Sequence, residues 1–331
     1  MTNPVNQSDI QKTMLQQQKT ENLKKQILNG VLLALLLLAP AVMYPVFLMK
    51  ILCFALFAVA FNLLLGFAGL LSFGHAAFLA TGAYVTGYLL STYSGLSTEM
   101  GIIAGTAAST LIGLGFAVVA IRRQGIYFAM ITLALAQLVF FFYVQAPFTN
   151  GEDGLHGVPR GQLLGFIDLD NDFAMYYFVL AVFLGGYLLV QRVVGSPFGQ
   201  VLKAIKENEP RAVSLGYNVN QYKLLTFVIS AGLAGLAGSV KTVVFQLASL
   251  GDAHWHMSGE VVLMTLLGGS GTLLGPVVGA AFVVNLEYQL SQGPLGDWVD
   301  AVLGGIFILV VIAFQSGIVG EIQKFLRKNT G

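Results

Sequence analysis

The amino-acid sequence predicts an all-α protein, a polytopic transmembrane helical bundle of about eight to ten spans with broken helices and a short internal repeat. Three observations carry that reading. Hydrophobic residues make up 56% of the 331 and charged residues only 10%, against roughly 25% charged in a soluble domain. The apolar residues run in uncharged blocks of about 20, the length a helix needs at about 1.5 Å per residue to cross about 30 Å of hydrocarbon. Glycine, at 39 residues, suits helices that pack backbone to backbone or break inside a membrane.

Residues 1–25 are rich in Gln, Asn, Thr and Lys without apolar periodicity and read as a disordered cytoplasmic tail. The apolar run from Ile27 follows a long polar extension and no small-x-small cleavage site, so it reads as an uncleaved membrane helix. A membrane domain then occupies 26–320, with a second cytoplasmic tail over 321–331. Within the domain, spans are expected near 28–49, 51–66, 72–92, 101–121, 125–146, 174–193, 224–246, 258–268, 272–292 and 298–317. The segments 51–66 and 258–268 are the weak ones. The latter is too short to cross unaided and ends in Gly268-Gly269-Ser270-Gly271, which points to a broken helix lining a cavity.

Orientation follows the basic residues, which stay cytoplasmic in short loops. Lys24 and Lys25, Arg122 and Arg123, the group from Arg192 to Lys223, and Lys324 to Lys328 mark four inner zones, while the acidic loop 147–173 and the segment 287–300 fall outside. With ten crossings every zone agrees and both termini are cytoplasmic. Leu64-Leu65-Gly66-Phe67-Ala68-Gly69 and Leu266-Leu267-Gly268-Gly269-Ser270-Gly271 share LLGxxG, each after a short span. They suggest two halves around a pathway, with chance recurrence in a Leu/Gly-rich chain as the competing reading. Gly66, Gly69, Gly268, Gly269 and Gly271 are the candidate helix breaks.

Several polar residues stand out inside the spans. Ser72 and His75 lie in GFAGLLSFGHAAFLATGAYVTG, where small residues permit close helix crossing and a lone imidazole must line a wet pathway or find a structural hydrogen bond. Thr132 and Gln137 are the interior polar groups of their span and, five apart, do not stack on one face. Glu260 is functional if immersed and ordinary if interfacial. His254 and His256 flank Trp255 without an evident third metal ligand, and belong to an interfacial aromatic belt.

The loop 195–223 is too long for a turn and carries an amphipathic helix, with Phe198, Val201, Leu202 and Ile205 on one face and Lys203, Lys206 and Glu207 on the other. It either lies on the membrane or docks into a partner protein. The chain has no Gly-Lys-Ser/Thr loop, no dinucleotide fingerprint, no GxSxG elbow and no HExxH helix. Any driving energy therefore comes from elsewhere. The net charge of +1 offers nothing to nucleic acid, and the single cysteine, Cys53, allows no internal disulfide or cysteine-based metal cluster.

Four segments together resemble the LivM-type branched-chain amino acid ABC transporter permeases: Gly69 to Phe78 with Gly82 to Tyr84; Gly125 to Phe128 with Thr132; Ser196 to Asn208 with Leu215 to Leu224; and Leu267 to Val277. The resemblance runs in order over 30–318. It implies a permease subunit in a bacterial inner membrane, not itself an enzyme, working by alternating access with a second permease subunit, two cytoplasmic ATPase subunits and an external solute-binding protein. ATP and Mg would be bound by the ATPase subunits, and this chain holds no cofactor. By the same resemblance the loop helix couples to the ATPase through Ala204, Glu207 and Arg211, and Gly216 ends it. Ser72, His75, Thr132, Gln137 and Glu260 are the candidate pathway residues. Two departures from the family pattern, Asn150 in the external loop and Gln137 at a position often acidic, leave amides, urea and aromatic acids open beside branched-chain amino acids. A secondary transporter or a passive channel for small polar solutes is the rival class, and Glu260 is the carboxylate such a carrier would use.

Overall fold

A computed structural model describes residues 34–93, 95–163, 165–293, 298–313 and 317–321. The predicted tail 1–25, the start of the first span and nearly all of the tail 321–331 lie outside them. Among the described residues the chain is almost entirely helical, with only short strand pairs.

Residues 34–38 are helical and run into a tight turn at Ala39–Ala41 around Pro40. The sequence divides the next spans at Lys50, but the chain breaks earlier, at Tyr44, and α1 spans Pro45–Asn62. The reason is physical: Pro45 is preorganised for a first helical turn and its predecessor is driven out of helical geometry. Lys50 sits inside the helix because Glu287 pairs with it at 3.1 Å. A wide π turn, Leu63–Phe67, prolongs α1, so the expected weak span 51–66 belongs to one full-length crossing, Pro45–Phe67.

Seven helices follow: α2 His75–Thr92, α3 Thr98–Ala120, α4 Ile126–Gln145, α5 Asp172–Gly195, α6 Pro197–Glu207, α7 Glu209–Ser214 and α8 Val219–Phe245. Then come α9 Trp255–Gly268, α10 Gly275–Ser291 and α11 Val299–Ala313. Helices lie within or across each of the predicted span segments, and α6 and α7 form the predicted loop helix. Five of the described helices are individually long and apolar enough to cross a membrane. The short span 258–268 is α9, begun three residues earlier at Trp255. At 14 residues it reaches only about 21 Å, less than the hydrocarbon thickness.

Helices α1 and α8 form the centre, α8 lying against α2 and α3 on one side and against α1, itself flanked by α5 and α10, on the other. Close approach depends on glycine. A side chain at Gly238 would strike the Leu79 carbonyl, and one at Gly82 the backbone of Gly235. Likewise α9 and α10 form a tight hairpin, with Gly268 against Gly275 and Gly279 against the Met264 carbonyl.

The connections gather at two ends. At one, Leu155–His156 pairs antiparallel with Leu247–Ala248, Gln162–Leu163 pairs with Ile167–Asp168, and Arg160 bridges Asp172 at 2.8 Å and the Val244 carbonyl at 3.0 Å. At the other end, Lys223 near the start of α8 binds Glu209 at 2.7 Å. The 27-residue α8 separates the two groups by roughly 40 Å at 1.5 Å per residue.

Candidate functional site

Two of the helix interruptions meet. The chain leaves α1 through the π turn and passes Gly69 at φ +71, and it leaves α9 through Gly269 at φ +118 and Gly271 at φ +80, conformations open to glycine and strained for other residues. Asn62 clamps the two together. Its amide nitrogen donates to the Thr272 carbonyl at 2.8 Å and its oxygen accepts from the Gly271 N–H at 3.0 Å. A Cβ on Gly66 would lie 2.6 Å from the Gly271 nitrogen and run into Asn62. The five glycines predicted as breaks thus occupy one junction, the two LLGxxG segments facing each other.

Beside it, the extended stretch before α2 is held by hydroxyls. Thr132 accepts from the Phe73 N–H at 3.1 Å, Ser72 from the Gly74 N–H at 3.1 Å, and Ser258 of α9 from the Ala76 N–H at 3.0 Å. A helix start carries orphan donors that must be satisfied when buried; Ser258 satisfies that of Ala76 in the first turn of α2, and the other two hydroxyls hold the backbone just ahead of it. Ser72, Thr132 and Ser258 are all buried.

His75 opens α2 inside the bundle, fully buried and edge-on to Phe61 and Phe78 at 4.8 and 5.5 Å between ring centres. Ser230 donates its hydroxyl proton to the Ala60 carbonyl at 2.6 Å. It therefore accepts from His75 Nε2–H at 2.8 Å, which places a proton on Nε2 and leaves Nδ1 without a hydrogen-bond partner among the described residues. His75→Ala opens a cavity among packed aromatics, worth about 2–5 kcal/mol in comparable cores. The thermal midpoint of the purified complex should fall. Loss of uptake with an unchanged midpoint would instead assign the ring to the pathway.

Next to the junction lies the loop helix. Ser196 caps α6 by accepting from the Gly199 N–H at 3.4 Å, and Asn208 caps α7 by accepting from the Arg211 N–H at 3.0 Å. Leu202 and Ile205 are buried, while Ala204, Glu207 and Arg211 stand exposed on the outer side. Gly216, at φ +86, follows the end of α7. Lys206 is exposed on the expected outer face, yet its side chain reaches back. Its stem crosses Gly69 and its Nζ donates to the Gly66 carbonyl at 2.7 Å, tying the loop helix to the break junction.

The model of the family described as "Branched-chain amino acid transport system / permease component" matches residues 43–311. The chain belongs to this family of ABC transporter permeases. The high-affinity branched-chain amino acid transport system permease protein LivM of Escherichia coli (strain K12) is 27% identical over 295 residues, covering 82% of this chain and 68% of its own. The protein named "Probable branched-chain amino acid transport permease protein LivM" of Methanocaldococcus jannaschii is 24% identical over 314 residues, 80% of this chain and 89% of its own. The inner membrane ABC transporter permease protein YjfF of Escherichia coli (strain K12) is 32% identical over 151 residues, 44% of this chain and 45% of its own.

Not every predicted residue joins the permease's junction. Gln137 is half-buried midway along α4, with Phe140 one turn on meeting His254 at 5.4 Å between rings. Glu260 lies on the second turn of α9, 3.5 Å from His256. His254 Nδ1 accepts from the His256 N–H at 3.4 Å and so caps α9. Asn62, Ser230, Ser258 and the bond from Lys206 to the Gly66 carbonyl escaped sequence reasoning. Asn62, two residues ahead of LLGxxG, was the one with a readable signal: an amide inside an apolar span needs partners.

Proposed function

We propose that this permease translocates branched-chain amino acids or related small polar solutes across a bacterial inner membrane by alternating access. It does so without catalysis of its own, beside a second permease subunit, two ATPase subunits that bind ATP and Mg, and an external solute-binding protein. The domain is 26–320, the loop 195–223 couples to the ATPase, and the loop 147–173 faces outward with both termini inside. One observation supports this above all: α6 exposes Ala204 and Glu207 outward while Lys206 binds the junction of two broken helices. A rigid element that contacts a partner on one face and helix breaks on the other is what transmission of ATPase closure requires.

The complex reconstituted in proteoliposomes with its binding protein and a solute panel tests this. Uptake of leucine, isoleucine or valine should require ATP inside the compartment facing the ATPase. Uptake driven by an ion gradient without ATP would favour the secondary-transporter reading. Orientation is checked separately: cysteines replacing Arg160 and Glu207 should react with an impermeant maleimide from opposite sides, and reaction of both from one side would overturn the topology.

A further inference from the structure

Beneath the loop helix lies a cleft of about 210 Å³ with a polar lining. Four parts of the chain close it: residues 68–70 after α1, the α6–α7 corner with Lys206 and Glu209, Lys223 of α8, and Gln124 and Gly125 just ahead of α4. It is smaller than drug-sized ligand sites, roughly 300–1,000 Å³, so it admits one small polar group rather than a whole solute.

The charges of the cleft do not balance. Lys223, its side chain only 3% exposed, is committed to Glu209 at 2.7 Å and cancels the one carboxylate in the wall. Lys206 binds a neutral acceptor, the Gly66 carbonyl at 2.7 Å, and has no ion-pair partner among the described residues. Its ammonium keeps two N–H donors after that bond. Arg122 and Arg123, directly before Gln124, are exposed and equally without an ion-pair partner among the described residues. The start of α4 has no side-chain cap, and the positive end of a helix adds to the attraction for an anion. The rim also turns toward lipid. Ile126 and Tyr127, the first residues of α4, are 71% and 68% exposed, on a helix long and apolar enough to cross a membrane, and tyrosine favours the headgroup level.

We infer that this cleft holds the phosphate of an anionic phospholipid. The phosphate accepts from the Lys206 ammonium and the Gln124 amide, Arg122 and Arg123 draw it to the rim, and the acyl chains run along Ile126 and Tyr127. Basic pockets at the ends of spans recognise lipid headgroups by this chemistry. A phosphatidylcholine carries the same phosphate but brings a quaternary ammonium beside three cations, so the site favours phosphatidylglycerol. The bound phosphate ties the loop helix to the α3–α4 connection next to the break junction, which makes the lipid a positive regulator of coupling. This rests on the functional reading above only for uptake as a readout.

The test uses the whole assembled complex in nanodiscs. Tyr127 is exposed at the rim and the native Cys53 is buried, so Tyr127→Cys takes a bimane fluorophore selectively. Phosphatidylglycerol with a nitroxide on one acyl chain should quench it at least threefold more strongly than phosphatidylcholine labelled in the same way. Gln124→Glu should abolish that preference. Arg192→Gln, which removes one positive charge from an exposed residue outside the cleft, should leave it intact. Equal quenching by the two lipids overturns the site, and so does equal loss in both variants, which would mean a diffuse surface potential. Absence of quenching by either lipid would show the rim covered by a partner subunit and also overturn it. Inorganic phosphate at matched ionic strength should not displace the labelled lipid; if it does, the occupant is a free anion. In proteoliposomes, uptake should fall at least threefold when phosphatidylglycerol is replaced by phosphatidylcholine, and Gln124→Glu should remove this dependence. Uptake without lipid preference at the fluorophore sinks the site alone, whereas lipid preference without uptake in any lipid sinks the functional reading and leaves the site standing.

Discussion

Gly66→Val should abolish uptake, by more than tenfold, and lower the thermal midpoint of the complex. The added Cβ would lie 2.6 Å from the Gly271 nitrogen and against the Asn62 side chain, and backbone gives way far less readily than the end of a flexible side chain. Overpacking of this kind costs typically about 1–3 kcal/mol. Here the strain also falls on the clamp, since Asn62 must leave both the Gly271 N–H and the Thr272 carbonyl, groups expensive to bury unpaired. Gly115→Ala is the control, because a Cβ there meets nothing within 4 Å and alanine favours a helix over glycine. Uptake and thermal midpoint measured for both variants decide the matter. Equal behaviour would mean that the junction opens freely and is no constraint.

The two LLGxxG segments show how far sequence could go. As six-residue strings in a Leu/Gly-rich chain they compete with chance, and what gives them meaning is the long-range contact through Asn62, more than 200 residues from its partners in sequence. The fold class and loop helix were legible for local reasons: span length is fixed by the bilayer, and an amphipathic pattern declares which face is buried. Leu202 and Ile205 are buried as their spacing predicts. Boundaries were less legible where charge misled. Lys50 looks like the end of a span because a lone lysine does not belong in lipid, and only the position of Glu287 on a distant helix makes it tolerable. Lys206 reads as one more polar residue on an outer face, since the pattern carries no information about a carbonyl released by a wide turn 140 residues earlier. The hydroxyls of Ser230 and Ser258 are indistinguishable in sequence from the small residues that merely allow helices to approach.

Lys206→Met should separate ATP hydrolysis from transport. On the proposed reading, the outer face of α6 and α7 meets the ATPase through Ala204, Glu207 and Arg211, all exposed, and motion reaches the spans through what the inner face holds. Leu202 and Ile205 anchor the helix by burial, a contact without direction. The Lys206 ammonium is different, because it donates to one specified carbonyl, that of Gly66, where α1 breaks against the α9–α10 turn. Cations are also favoured at the carbonyl end of a helix. Methionine keeps the stem that crosses Gly69 and removes only the charge and the donors, so the complex should assemble with normal basal hydrolysis while uptake falls at least tenfold. Lys206→Arg should recover part of the uptake. Reversing charge outside, with Glu207→Lys or Arg211→Glu, should act differently and weaken ATPase association, which pull-down of the complex measures. Cysteines at 204 or 207 should crosslink to the ATPase subunit, and labelling by lipid probes alone would refute docking. Should Lys206→Met lose hydrolysis and uptake in equal proportion, the residue serves ATPase docking rather than transmission to the helix breaks.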